Sequence, residues 1–320
     1  MSLKRDFKLG VALAGGGVRG FAQMPVLKVL EENGIRPDFI AGASIGSVMA
    51  SLYAVGVPAD EIVDKVTAIA NKLLDEKVFT KPDINFFKLG KNKINGLADA
   101  NKIEGVLYEL FKEYSVVNIQ DVKPGLILTS VDLVSTKLVI FTNIKDLKLK
   151  RDDVIIINDV PLAVAVRSSC SYPGVVASRI MGDMQLADGG LRMNLPIEPL
   201  RAAGADKVMS LSMMKDRSGV YTTSALKTVP RSINVMRDEL MLYQVRQSDF
   251  NIDLNVGLVG TFDLEKKDEI YKKGQEYAEK YREQIIEFCT TSPFEDKVKR
   301  TAQEVKKKGF FARLFGKKSK

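Results

Sequence analysis

Ser44 is the first residue with reactive chemistry in prospect. It stands in Gly42-Ala43-Ser44-Ile45-Gly46, which fits the G-x-S-x-G form of a nucleophile elbow. Such a serine sits on a tight strand-to-helix turn so that its hydroxyl projects from a sheet. Glycines two residues to either side remove side chains that would clash there. The helix that follows aims its N-terminus at the reacting carbon and favours developing negative charge. The motif alone is weak: a chance match arises in roughly one chain of ten at this length. An ordinary tight turn between a strand and a helix explains it equally well.

Upstream lies Gly15-Gly16-Gly17-Val18-Arg19-Gly20. Consecutive glycines can present successive backbone N–H groups to an anion, and Arg19 adds positive charge. A structural ion pair accounts for Arg19 as readily. The same residues satisfy G-x-G-x-x-G, follow a strand and open a helix, as a dinucleotide site would. That reading wants an acid at the end of the second strand. Asp38, 18 residues after Gly20, stands before that strand instead.

Far downstream, Asp188-Gly189-Gly190 places a carboxylate at a strand end, followed by glycines that permit a sharp turn. A plain Asp-Gly turn is the commoner reason for the pair. The histidine count sharpens the choice, because it is zero. A Ser-His-Asp triad, a His-based zinc site and an H-E-x-x-H protease are all excluded. A serine nucleophile here needs another acceptor. A carboxylate beside Ser44 can take its proton, and takes it better if partial burial raises its pKa.

These residues need elements to position them. The run Lys8–Ala14 reads as a buried strand and Phe21–Asn33 as a helix closed by Gly34. Asp38–Ala41 reads as a second strand, and a helix follows from Ile45 to about Val55. Strand–helix–strand–helix order implies parallel strands and an α/β fold. Further helices are expected over 58–75, 101–113, 161–170 and 196–203, and strands over 125–131, 137–142, 153–157 and 207–211. A strand or hairpin leads into Leu186–Gly190. Residues 224–285 read as mainly helical, with an apolar break at 252–262. Residues 76–100, interrupted by Pro82, Gly90 and Gly96, read as a candidate lid. No internal repeat and no linker appears before residue 290. The reading is therefore one catalytic domain over 1–290 and a tail over 291–320.

The 320 residues carry a net charge of +8. From Lys297 to Lys320 the charge is +9, so the preceding 296 residues sum to −1. The basic excess belongs to the tail and argues against a specific nucleic-acid surface on the body. Within Lys306–Lys320, seven bases interleave with Phe310, Phe311, Leu314 and Phe315. On a helix, Phe310/Leu314 and Phe311/Phe315 are i,i+4 pairs. Such a segment suits an anionic membrane surface, with each base contributing about 1 kcal/mol. A solvated basic tail is the plainer alternative. No apolar leader precedes the first strand and no apolar run reaches the length of a membrane span. A cytoplasmic protein is expected, with a tail able to hold it at the inner membrane face. The two cysteines, Cys170 and Cys289, allow one disulfide at most.

Taken in order, the three glycine motifs resemble the patatin-like phospholipase family. That family has a glycine-rich oxyanion motif with Arg, then G-x-S-x-G about 25 residues on, then D-G-G or D-G-A far downstream. The segments Pro25–Glu32, Arg167–Gly174 and Asn194–Leu200 are similar to bacterial members. The resemblance covers about residues 8–215. It implies a patatin-like three-layer sandwich with a mostly parallel central sheet flanked by helices. It also implies a Ser44–Asp188 dyad and an oxyanion held by backbone N–H groups around Gly16, Gly17 and Val18. The substrate would be a phospholipid, lysophospholipid or related lipid ester, turned over through an acyl-enzyme without metal or cofactor. Many bacterial members have histidine where Gln23 stands, which predicts altered packing or substrate fit rather than lost chemistry. A patatin-like fold that binds a membrane surface with little turnover fits the same residues. Residues 216–290 match only loosely and are expected to shape the acyl pocket.

Overall fold

The strands of the computed structural model are β1 (Leu9–Leu13), β2 (Phe39–Ala43), β3 (Gly125–Asp132), β4 (Leu138–Thr142), β5 (Val154–Ile157), β6 (Arg179–Met181), β7 (Met184–Asp188), β8 (Lys207–Ser212) and β9 (Phe250–Asp253). The helices are α1 (Met24–Glu32), α2 (Ile45–Ala54), α3 (Ala59–Asp75), α4 (Ala100–Lys112), α5 (Leu162–Ser169), α6 (Ile197–Ala202), α7 (Ala225–Val245), α8 (Lys267–Lys280) and α9 (Arg282–Thr290). The structure describes residues 5–75, 100–214, 225–261 and 263–295. The candidate lid, apart from Ala100 at the start of α4, and the tail from 296 onward lie outside the described residues.

One sheet runs in the order β5-β4-β3-β2-β1-β8-β9. The pairs β3–β2, β2–β1, β1–β8 and β8–β9 are all parallel. β4 joins β3 antiparallel and carries β5 parallel to itself. β1, β4 and β8 are buried at every position. A strand buried on both faces needs a cover on each, which explains its near-continuous apolar sequence. α2 packs on β1, β2 and β3, while α6 packs on β1, β2 and β8. The architecture is a three-layer α/β sandwich, as the strand–helix alternation predicts.

Two details depart from the sequence pattern. Residues Gly17–Gln23 form a tight 3₁₀ segment, so α1 begins only at Met24, with Pro25 in its first turn. β9 is a strand inside the stretch read as helical with an apolar break. It is four residues long, and short edge strands carry too little alternation to stand out. β8 lies inside the sheet and β9 at its edge.

Candidate active site

β3 acts as the ruler that brings two distant motifs together. Along one side it pairs β2 as far as Ala43 opposite Thr129. At the next position it pairs β7, with Asp188 opposite Ser130. β2 runs parallel to β3 and β7 antiparallel, while the other side of β3 is taken by β4. The carboxyl ends of β2 and β7 therefore meet head-on. Ser44, the residue after β2, and Asp188, the last of β7, fall at that junction although 144 positions separate them in sequence.

Ser44 sits in a backbone conformation few side chains adopt, with φ 53° and ψ −129°. It is half-buried, at the N-cap of α2. A non-glycine residue at positive φ stores strain that the surroundings must hold. Its N–H donates to Ser169 Oγ at 2.9 Å, and its carbonyl accepts from Ser47 Oγ at 2.6 Å. The turn closes tightly: a Cβ on Gly42 would meet the Gly46 carbonyl oxygen at 2.2 Å. Glycine is required at Gly42 by that approach, as the elbow motif predicts.

Asp188 is buried, with 3% of its surface exposed. Its Oδ1 accepts from the Gly190 N–H at 2.8 Å. Its Oδ2 is buried and has no hydrogen-bond partner. Burial raises its pKa above the ordinary aspartate range. The Ser44 hydroxyl opposes that rise, then the Gly190 N–H, then the charge of Arg237. No hydrogen bond joins the Ser44 and Asp188 side chains among the described residues, and Oδ2 retains unused acceptor capacity.

The glycine loop is organised by its carbonyls. Gln23, fully buried, brackets Ala14: Oε1 accepts from the Ala14 N–H at 2.9 Å and Nε2 donates to the Ala14 carbonyl at 3.1 Å. Asn194 Nδ2 donates to the Gly15 carbonyl at 3.1 Å. Arg19 Nε donates to the Gly16 carbonyl at 3.0 Å. No described peptide is cis, so each N–H points opposite to the carbonyl of its own peptide. Fixing the carbonyls of Gly15 and Gly16 turns the N–H groups of Gly16 and Gly17 the other way. Neither N–H donates to a described residue. The Val18 N–H does, to the Thr261 carbonyl at 3.0 Å. Val18 is therefore not a spare donor, contrary to the expectation that grouped it with Gly16 and Gly17. The same close approach demands glycine at Gly17, where φ is +62° and a Cβ would lie 2.1 Å from Thr261 O. Arg19 is buried against this loop, which gives it a structural part alongside its charge. Gly20 packs against Ile45, where a Cβ would come within 2.8 Å of the Ile45 side chain.

Ser44, Gly16, Gly17 and Val18 line one cavity of about 420 Å³. Its walls are apolar: Val66, Ile69, Ala70, Leu73 and Leu74 from α3, and Ile103 and Leu107 from α4. Tyr172, Val175 and Val176 close another side. They are held by Arg167, whose guanidinium donates to Ser171 Oγ at 2.8 Å and to the Ala177 carbonyl at 2.7 Å. Burial lowers the Arg167 pKa to about 10. Cys170 also lines the cavity, and burial pushes its thiol up to about 12. Both cysteines are free. Among the described residues no cluster of three His, Cys, Asp or Glu side chains could hold a metal. No described helix is long and apolar enough to cross a membrane.

Sequence reading missed Arg237 and Thr261, and it reached Asn194 and Ser169 only as members of segments similar to bacterial relatives, with no role for either. Asn194 lies next to a recognisable turn, but an Asn before Leu-Pro carries no signal of what it touches. Ser169 and Arg237 are ordinary helix residues until the fold brings them in. Gln23 was visible as a departure, but its bracketing of Ala14 was not.

A half-buried serine at a strand-to-helix turn, a buried carboxyl at the facing strand end and a loop with two amides that donate to no described residue thus stand on one α/β sheet. The family model Patatin-like phospholipase matches residues 11–201, and the chain belongs to that family. An uncharacterized NTE family protein of Mycobacterium tuberculosis is 26% identical over 66% of this chain and 51% of its own length. The chain thus spans about half the length of that relative. YqhO of Bacillus subtilis is 30% identical over 58% of this chain and 64% of its own. Among solved structures, VipD from Legionella pneumophila aligns at a TM-score of 0.46 and 13% identity, over 89% of this chain and 68% of that one.

Proposed function

We propose that the protein is a lipid acyl-ester hydrolase working through a Ser44–Asp188 dyad. The observation that carries this is the register on β3, which sets Asp188 one position beyond Ala43 and so beside Ser44. Ser44 Oγ attacks the acyl carbonyl carbon while Asp188 takes the hydroxyl proton. The Gly16 and Gly17 N–H groups and the N-terminus of α2 stabilise the oxyanion. The ester C–O bond breaks, and Asp188 returns the proton to the leaving alcohol. Water then attacks the acyl-enzyme, with Asp188 as its base, and Ser44 is restored. The apolar walls from α3 and α4 suit an acyl chain. The basic, aromatic segment Lys306–Lys320 suits attachment to an anionic lipid surface.

Replacing Ser44 with Ala tests the reading. Hydrolysis of a p-nitrophenyl ester should fall by about 10³-fold or more. Full activity in that variant would refute a role for Ser44.

A further inference from the structure

Arg237 is an unusual residue to find where it is. It projects from α7, beyond the stretch that the family match covers, and is 7% exposed. It lines the same cavity as Ser44, and among the described lining residues it is the one charged side chain. Its Cδ and Asp188 Oδ1 flank the same space over Gly190, at 3.3 and 3.0 Å from where a Cβ there would stand. Its Nε is buried with no hydrogen-bond partner. Its ion pair is with its own chain neighbour Asp238, at 3.4 Å. No ion pair forms with Asp188.

A guanidinium taken out of water is costly unless its fork of donors is matched. Here the match among the described residues is poor: one long contact to Asp238 and an idle Nε. An incompletely satisfied cation at the wall of an apolar cavity is suited to an anion that arrives with the ligand. The planar fork fits the oxygens of a phosphate, which it can grip through two parallel hydrogen bonds. The apolar remainder of the cavity leaves the other end of the ligand to be a hydrocarbon chain.

We propose that Arg237 forms an anion subsite beside Ser44 that takes the phosphate of a glycerophospholipid while its acyl ester is cleaved. This rests on the hydrolase reading and assigns to one residue, outside the stretch the family match covers, the preference for an acyl ester carrying a phosphate over a neutral glyceride. Arg237 binds the part of the substrate that does not react. Its contribution is therefore selectivity between phosphorylated and neutral esters of the same chain.

The test is a ratio. kcat/KM is measured with the full chain on 1-octanoyl lysophosphatidylcholine and on monooctanoylglycerol, for the wild type, Arg237→Gln and Arg237→Lys. The ratio of the two values does not depend on how much of a variant is folded. In Arg237→Gln it should fall about ten- to hundredfold, the effect of losing charge-assisted hydrogen bonds. Arg237→Lys keeps the charge without the fork and should fall between. A ratio within twofold of wild type in Arg237→Gln overturns the subsite. That result includes the case in which both substrates decline equally because Arg237 serves only Asp188.

A second measurement separates the subsite from the hydrolase reading. Binding of glycerol 3-phosphate and of octanoate is followed by NMR, which needs no turnover. Arg237-dependent binding of glycerol 3-phosphate supports the subsite even if neither ester is hydrolysed, an outcome that sinks the hydrolase reading alone. Arg237-dependent binding of octanoate but not of glycerol 3-phosphate would reassign the subsite to a carboxylate and overturn the proposal.

Discussion

Two glycine-rich turns close on the Asn194 side chain from different parts of the chain, and they do opposite things. In Gly15–Gly20, side chains of Asn194 and Arg19 occupy the carbonyls of Gly15 and Gly16, which leaves two amides to spare. In Asp188–Gly190, an amide is spent on Asp188 Oδ1 and a carboxylate oxygen is left over. One turn has surplus donors and the other a surplus acceptor. Glycine content alone does not decide which; the buried side chains that occupy the opposite ends of the peptides do. A carbonyl oxygen that gains charge and a hydroxyl that loses a proton need this pairing.

The largest break in that comparison removes the acceptor. Asp188→Asn should lower ester turnover by on the order of 10³-fold, since the amide cannot take the serine proton. Steady-state hydrolysis checks it. The same variant should show a stability effect of opposite sign. Burial raises the Asp188 pKa, so the folded state favours the neutral acid. That contribution is fully present below the unfolded pKa and lost as pH rises through the raised folded value. Asp188→Asn should therefore gain in Tm relative to wild type as pH rises across that window. In wild type, kcat/KM should decline on acidification at a pH above the ordinary aspartate range, because the protonated acid is not a base.

Disturbing the donor turn comes next. Gly17→Ala puts a side chain at positive φ and against the Thr261 carbonyl. It should cost about 2 kcal/mol or more of stability. Turnover should drop about 10²-fold as the amides shift. Denaturant melts and kinetics on the soluble fraction separate the two effects.

Asn194→Ala is a finer cut. It releases the Gly15 carbonyl without touching Ser44. Turnover should fall about tenfold with KM little changed, and stability by about 1 kcal/mol. Smallest of all is removal of residues 306–320. Binding to anionic liposomes should weaken while hydrolysis of a soluble ester stays within about twofold of wild type.

The parts of this picture that were legible from sequence share a cause. Strand–helix alternation and long buried apolar runs are local patterns, so β1 to β5 and α2 to α6 stand where the sequence places them. Gly42, Ser44 and Asp188 stood out only as members of an ordered set of three glycine motifs that resembles a family, because each motif alone reads as well or better as an ordinary turn. The head-on meeting of β2 and β7 was not legible, because it depends on which edge of β3 each strand takes. Asn194, Ser169 and Thr261 act through single long-range hydrogen bonds, which leave no periodic trace. Arg237 sits on a helix whose own sequence gives no reason to bury a charge.

The most direct test is labelling by a fluorophosphonate, followed by mass spectrometry and rate measurement. Wild type should react at Ser44, Ser44→Ala should not react, and Asp188→Asn should react far more slowly. Labelling of Asp188→Asn at the wild-type rate would contradict the dyad, and labelling of Ser44→Ala at that rate would contradict the nucleophile.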